Sequence, residues 1–284
     1  MTAYPVSKLL SPSLFFRRMW AERFLISQFT RREFQARHKG SMLGIGWSLV
    51  VPLVMLSVYT FVFSIVFQAR WGGAHDGAIG GAGEESRAVF AVVLFGNLIA
   101  FNLFSELVSS ASGLIIHNPN LVKKVVFPLE ILPVSRLLTI ALQSLASFLI
   151  LAVGAAIAGV LKWQFAVAPL FLLPLILLGL GLSYFVAAIT VFVRDTAQLM
   201  GLVVTVLIFL SPVFYPLQSV PEPYRSIVVL NPLTMMLEHF RGVALFGQFP
   251  DPTQFALTLL SSLVVLVLGF AWFMKLKPAF ADVL

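Results

Sequence analysis

The residues that could do chemistry are few in this chain and lie far apart. No Gly-Lys pair occurs, so the chain has no P-loop of its own for a nucleoside triphosphate. There is no HExxH motif, no Asp-x-Asp pair and no cysteine, and the four histidines fall in separate connecting segments. The pattern predicts a protein without a metal site, a bound cofactor or a catalytic centre.

One acidic residue stands out because it interrupts an otherwise apolar stretch. Glu106 lies about eight residues, or about 12 Å, from the nearer end of that predicted helix. Arg136 lies at a similar depth in the next predicted helix, so an ion pair across the helical hairpin would offset the cost of burying either charge. The alternative is that Glu106 faces interior water while Arg136 reaches the membrane interface.

The elements that must position these residues are membrane-spanning helices. Hydrophobic residues make up 59% of the 284 residues and charged residues only 11%, whereas a soluble domain has about a quarter charged. A span needs roughly 20 mostly apolar residues. Six stretches qualify: 45–67, 88–114, 137–161, 165–193, 196–216 and 253–274. The sequence therefore predicts an all-α membrane protein with six transmembrane helices.

Basic residues set the predicted orientation. With the N-terminus inside, fourteen of the nineteen lysines and arginines fall on the cytoplasmic side, as the positive-inside rule requires. Both termini are then cytoplasmic. The same clustering accounts for the net charge of +7 through topology and anionic lipid, so nucleic acid is not an expected partner. Eight basic residues precede the first apolar stretch, which argues against a cleavable signal peptide.

The segment before the first span predicts an interfacial amphipathic helix over residues 14–37. Phe16, Trp20 and Phe24 recur every four residues, with Arg23 and Arg31 close enough to snorkel towards headgroups. An ordinary soluble extension is the alternative. The chain thus divides into a cytoplasmic N-terminus (1–44), a transmembrane domain (45–274) and a cytoplasmic tail (275–284).

Two connecting segments carry capping signals. On the inner side, Asn118 and Pro119 suit a helix start, and Lys123 and Lys124 suit its C-terminal end. A short helix at the cytoplasmic mouth and a simple capped turn explain this segment equally well.

The second segment lies between the fifth and sixth spans, where Asn231 and Pro232 open a helix with Met236 and Phe240 on its apolar face. Because this helix is too short to span, it predicts either a re-entrant pair or a hairpin on the outer surface.

Several motifs, in order along the chain, resemble those of the permease subunits of ABC-type polysaccharide exporters of the O-antigen and teichoic-acid export family. The first is Arg31 and Arg32 followed by Lys39 to Trp47 and Pro52. The others are Asn118 to Leu121 with Lys123, Lys124, Phe127 and Pro128; Val193, Arg194 and Asp195; and Ser211, Pro212, Asn231, Pro232 and Arg241. The matches run from about residue 31 to residue 245.

The resemblance implies a homodimer in the bacterial inner membrane that pairs with two ABC ATPase subunits, which hold the ATP and magnesium. It implies a lipid-linked polysaccharide as substrate. By the same resemblance, residues 118–126 are similar to a coupling helix that docks in the ATPase. Arg194 and Asp195 are similar to a second cytoplasmic contact, although Asp195 is also a simple N-cap candidate, and residues 221–246 resemble paired outer gate helices.

A glycan channel favours aromatic walls, because sugar rings present C–H faces that pack on them. The candidate lining residues lie at the outer ends of the first and fifth spans: Tyr59, Phe63, Phe67, Phe209, Phe214 and Tyr215. With 27 phenylalanines in the chain, contact with lipid or with other helices is the competing explanation. The competing functions are a drug or lipid exporter permease and a membrane transferase or scramblase without an ATPase.

Overall fold

The computed structural model describes residues 11–66, 84–123 and 127–284, and within these ranges every regular element is helical. The helices are α1 (Pro12–Ala21), α2 (Arg23–His38), α3 (Trp47–Tyr59), α4 (Glu84–Ala111), α5 (Pro119–Lys123), α6 (Leu132–Ile157), α7 (Leu173–Phe192), α8 (Thr196–Leu210), α9 (Glu222–Leu230), α10 (Pro232–Arg241), α11 (Pro252–Leu276) and α12 (Phe280–Val283).

Helix α4 forms the centre of the bundle. It is apolar around most of its circumference, and Phe90, Val93, Phe101 and Leu107 along its length are buried. A helix that is hydrophobic all round is stable only when other helices enclose it. Helices α6 and α7 pack along α4, and α11 packs along α7.

Helices α7 and α11 approach each other through glycines. A Cβ atom on Gly269 would overlap the backbone oxygen of Gly181, and a Cβ atom on Gly181 would lie 2.7 Å from the backbone N and Cα of Leu266. Small residues at helix crossings in membranes allow backbones to pack closely. This contact joins the fourth and sixth apolar segments.

Four helical segments in the described residues are long and apolar enough to span a membrane, where six spans were predicted. They are Arg87–Ala111, Leu129–Ile157, Ala168–Phe192 and Pro252–Val283. The other two predicted spans correspond to the shorter apolar helices Trp47–Val62 and Thr196–Leu210. The fifth stretch is shortened because its helix ends at Leu210, before Ser211 and Pro212.

The first of these shorter helices changes type along its length. It continues beyond Tyr59 as a π-helix, Thr60–Val66, and residues 67–83 lie outside the description. The candidate lining residue Phe67 falls in that part of the chain.

The N-terminal segment forms two helices instead of the single one predicted over residues 14–37. They break at Glu22, whose backbone is not helical (φ −96°, ψ 13°). Phe15, Met19 and Ile26 are buried against the bundle, whereas the predicted stripe of Phe16, Trp20 and Phe24 is exposed. An exposed aromatic face next to arginines, whose long side chains can reach the headgroups, is typical of helices at a membrane interface.

A buried carboxylate fastens this segment to the bundle. Glu130, in the turn before α6, accepts hydrogen bonds from Arg18 of α1 at 2.6 Å and from Lys277 at the end of α11 at 2.5 Å. The hydroxyl of Tyr184 donates to the backbone oxygen of Glu130 at 2.5 Å. We call the end of the bundle with this cluster the inner end, after the predicted orientation.

The outer end holds α9, α10 and the start of α11. Asp251 caps α11 by accepting from the backbone N–H groups of Thr253 at 2.6 Å and Gln254 at 3.3 Å. These two hydrogen bonds hold the pKa of the Asp251 carboxyl below its ordinary value. The cap fixes where the last long helix begins.

Candidate functional site: a polar groove and an aromatic cluster

A groove of about 650 Å³ lies between α3, α4 and α6. Its inner end is bounded by Arg37 and Glu106, and Tyr59 and Phe95 line it farther along the helices. Along its length it presents the polar side chains Ser41, Ser48, Asn102, Ser105, Gln143, Ser144 and Ser147. Apolar residues such as Val51, Leu98 and Leu103 line it as well. The groove is therefore mixed in character but more polar than the bundle around it, and we call it the polar groove.

Four charged residues form a network at the inner end of this groove. Arg37 lies 2.5 Å from Glu106 and donates to Gln143 at 2.6 Å. Arg136 lies 2.7 Å from Glu33 and 3.7 Å from Glu106. Two positive and two negative charges thus meet where α2 crosses the bundle, so their electrostatic fields largely cancel.

This network differs from the predicted pair of Glu106 and Arg136. The two residues do lie within ion-pair distance, but each makes its shortest contact with a residue of α2, which the sequence analysis did not consider. Glu33 and Arg37 stand four residues apart and so share one face of a helix. This four-residue spacing is the feature of the sequence that could have indicated that Glu33 and Arg37 face the same site.

A double-mutant cycle distinguishes Arg37 from Arg136 as the main partner of Glu106. We expect Glu106→Gln to couple with Arg37→Gln by about 0.5–1 kcal/mol and more weakly with Arg136→Gln, because the side chains are partly exposed and the second contact is longer. Thermal unfolding of the purified protein measures these free energies. Lys275 lies at the inner end but outside the network, so the effects of Glu106→Gln and Lys275→Gln on the free energy of unfolding should be additive. If the effects of Glu106→Gln were also additive with those of both arginine substitutions, the described geometry would be contradicted.

The middle of the groove offers hydrogen bonds to a ligand. The hydroxyl of Ser144 donates to the backbone oxygen of Ile140 at 2.9 Å, which leaves its oxygen able to accept. The Nε2 atom of Gln143 is buried and has no hydrogen-bond partner among the described residues. Because that atom has almost no accessible surface, a ligand in the groove does not reach it in this conformation. A polyhydroxylated molecule can donate to the oxygen of Ser144, which lines the groove.

An aromatic cluster joins the outer parts of α3 and α8. The rings of Tyr59 and Phe214 are 6.2 Å apart, and those of Phe209 and Phe214 are 5.9 Å apart. The hydroxyl of Tyr215 donates to the backbone oxygen of Phe209 at 3.1 Å. Four of the six predicted lining residues thus lie together, while the side chain of Phe63 and the whole of Phe67 lie outside the described part of the structure.

The short outer helix α10 is held inside the bundle. Asn231 caps it by accepting from the N–H of Leu233 at 3.1 Å, and its amide donates to Ser211 Oγ at 2.8 Å. Asn97 of α4 donates to the backbone oxygen of Val213 at 3.1 Å. Pro232 is exposed at the first helical position. The turn after α8 is therefore tied both to α4 and to α10.

Two of the predicted gate residues lie in the core and line no open path. Met236 and Phe240 are buried, and the ring of Phe240 lies edge-on to that of Phe148, 6.0 Å away. Arg241 is buried beside its ion-pair partner Glu238 and donates to the backbone oxygen of Pro212 at 3.5 Å. The sequence analysis left open a re-entrant pair and a hairpin on the outer surface. In the structure this face of the helix packs into the core of the bundle.

The predicted coupling segment forms the short helix α5 at the inner end. Lys123 is exposed, Leu121 packs partly against the core, and Lys124 lies outside the described residues. The predicted cap is not formed as expected, because the amide of Asn118 donates backwards to the oxygen of Leu114 at 3.0 Å. Pro119 occupies the first helical position as predicted.

The second predicted contact is the exposed turn between α7 and α8. Arg194 and Asp195 both point to the surface. Asp195 occupies the N-cap position of α8, but its side chain makes no capping hydrogen bond. The C-terminal α12 contacts both α5 and α7, so α5 and this turn belong to the same end of the bundle. In the described residues no group of three acidic or histidine side chains is placed to hold a metal ion.

The chain belongs to the ABC-2 type transporter family, whose profile matches residues 25–245. It is similar to the O-antigen export system permease protein RfbA of Myxococcus xanthus, at 26% identity over 94% of this chain and 97% of the relative. It is also similar to RfbA of Klebsiella pneumoniae, at 24% identity over 92% and 95% of the two chains. The polysialic acid transport protein KpsM of Escherichia coli is 24% identical over 87% of this chain and 92% of its own length.

Proposed function

We propose that this chain is the membrane subunit of an ATP-driven exporter that moves a lipid-linked, O-antigen-like polysaccharide across the bacterial inner membrane. The observation that carries the proposal is the groove between α3, α4 and α6, with its hydroxyl and amide groups and its aromatic outer part. Sugars need both kinds of contact. The names of the relatives, an O-antigen export system permease protein and a polysialic acid transport protein, support the same substrate class.

Removing the chain should block polysaccharide export and leave synthesis of the lipid-linked precursor intact. In cells that lack it, we expect surface polysaccharide to disappear and its lipid-linked precursor to accumulate at the cytoplasmic face of the membrane. Restoring the chain should reverse both effects. Loss of the chain with normal surface polysaccharide, but with altered drug resistance, would instead support a drug exporter.

Six spans remain the proposed topology. Helix α3 has 13 residues, or about 20 Å, and its π-helical extension adds seven residues at a smaller rise, so together they approach the hydrocarbon thickness of about 30 Å. Helix α8 has 15 residues, or about 22 Å, and the non-helical segment after Leu210 supplies the remaining depth. This segment is sheltered by Asn97 and Asn231, as backbone at membrane depth must be.

A second copy of the chain is the proposed partner within the membrane. Helices α3 and α8 are the least enclosed apolar helices of the bundle, since α3 has no buried residue and α8 has only Thr196. A homodimer that covers these faces would place two grooves and two aromatic clusters around one path. Opening that path requires α10 to move, because it is buried in the present state.

The proposed ATPase contact is α5 together with the turn at Arg194 and Asp195. We expect the double change Lys123→Glu and Lys124→Glu to weaken co-purification with the ATPase and to lower export, since it reverses two charges without touching Pro119. Pull-down from detergent extracts and surface polysaccharide measure the two effects. Lys275→Glu changes charge at the same end of the bundle and is the control. Unchanged binding and export would remove the docking role.

A further inference from the structure

A second groove, of about 700 Å³, lies on another side of α6 from the polar one. One wall comes from the N-terminal helices through Met19, Ile26 and Phe34. The other comes from Leu138, Leu142 and Leu145 of α6. Gln143, Ser144 and Ser147 of α6 line the polar groove, so the two grooves use different faces of one helix. The lining of the second groove is almost wholly apolar.

Two arginines stand among these apolar walls. Arg23 donates to the backbone oxygen of Trp20 at 3.0 Å, and its guanidinium lies over the Trp20 and Phe24 rings at 5.2 Å and 4.8 Å. Arg31 is exposed and stands eight residues later, about two turns or 12 Å along the same helix face. An aromatic shelf under one guanidinium orients its remaining N–H groups.

In the part of the chain that the structure describes, neither arginine forms an ion pair with an acidic side chain. The acidic residues nearest to them on this element are Glu22, at the N-cap position of α2, and Glu33 within α2, and neither lines the groove. Glu33 is already engaged by Arg136 at 2.7 Å. Basic residues at an interface attract anionic headgroups. The groove thus combines a long apolar trough with positive charge, and its occupant must carry both an apolar chain and a negative head.

We propose that this groove binds an anionic glycerophospholipid of the inner leaflet, with one acyl chain between α2 and α6, its phosphate at Arg23 and the positive charge of Arg31 adding electrostatic attraction for the headgroup. The exposed Phe16, Trp20 and Phe24 place the entrance of the groove at the level of the headgroups. Thr30, at the base, donates to Ile26 O at 2.8 Å and lies 3.4 Å from Ser135 O, which fixes the separation of the two helices.

The bound lipid strengthens the attachment of α2 to the bundle. Helix α2 also supplies Glu33 and Arg37 to the charge network beside the polar groove. Lipid composition therefore acts on the inner end of that groove without entering it. This role does not depend on which substrate the chain transports.

Binding of phosphatidylglycerol to the purified full-length chain tests the proposal, with phosphatidylcholine of the same acyl composition for comparison. Native mass spectrometry measures retained lipid, and the thermal midpoint measures stabilisation. We expect phosphatidylglycerol to be retained and to raise the midpoint more than phosphatidylcholine. Arg23→Gln and Arg31→Gln should each weaken its binding roughly fivefold. Arg17→Gln, an exposed arginine of α1 outside the groove, should have little effect.

A further variant tests lipid binding even if the arginine variants misfold. Leu142→Trp fills the trough while leaving both arginines in place, and it should abolish retention of the lipid without lowering the midpoint of the lipid-free protein. Equal retention of the two lipids would overturn the proposal, as would an equal effect of Arg17→Gln. Preferential binding of a polyprenyl diphosphate, or protection of the groove by a second copy of the chain, would also overturn it.

Discussion

Replacing Gly269 with alanine will separate α7 from α11 and destabilise the bundle by about 3 kcal/mol or more. The added Cβ would overlap the backbone oxygen of Gly181, and a backbone cannot yield by changing a rotamer. The whole of one helix must shift. Thermal unfolding in detergent and the yield of monodisperse protein measure the effect.

Gly201→Ala is the matched control for this substitution. It makes the same change in another apolar helix, α8, at a position where the new Cβ would meet nothing within 4 Å. We expect this variant to be as stable as the parent or slightly more stable, because alanine favours a helix. If Gly269→Ala and Gly201→Ala have equal effects, the described crossing of α7 and α11 is wrong.

Replacing Glu130 with glutamine should cost about 3–5 kcal/mol, because it leaves Arg18 and Lys277 without their counter-charge in a largely enclosed site. The loss should appear first as release of α1. Limited proteolysis within α1 reports that release, and thermal unfolding reports the total. The exposed pair of Glu222 and Arg225 provides the comparison, and Glu222→Gln should change stability by less than about 1 kcal/mol.

A compensated variant shows whether charge is the cause. Glu130→Leu combined with Arg18→Met and Lys277→Met removes all three charges at similar volume, and it should recover most of the lost stability. A large loss that persists in this triple variant would indicate that packing around Glu130 matters instead. A Glu130→Gln variant as mild as Glu222→Gln would contradict the assignment of the cluster.

The apolar segments could be predicted from sequence because lipid imposes a length and a composition on any helix that crosses it. Thus the four long helices lie where they were expected, and α10 begins at Pro232 with the predicted Asn231 cap. The shortening of α8 was missed, since Ser211 and Pro212 lie inside an uncharged run and only tertiary contacts with Asn97 and Asn231 stabilise the turn.

Contacts between helices distant in sequence could not be predicted in the same way. The depths of Glu106 and Arg136 predicted that they are neighbours, and their side chains lie 3.7 Å apart. Depth does not reveal that α2 brings Arg37 to Glu106 and Glu33 to Arg136 at shorter distances. The burial of Met236 and Phe240 likewise depends on α4, α7 and α11, which surround α10. A capping preference was also insufficient at Asn118, where the side chain bonds the preceding turn.

The proposed glycan route through the polar groove can be tested most directly by cysteine labelling, because the natural chain has no cysteine. Ser144→Cys and Ser147→Cys place thiols in the groove, and Leu149→Cys places one on an exposed apolar position of the same helix. In inside-out vesicles, a polar thiol reagent should label the groove positions faster than Leu149→Cys. Added lipid-linked oligosaccharide should slow labelling at the groove positions alone. Equal labelling at all three positions, unaffected by the oligosaccharide, would contradict the proposed route.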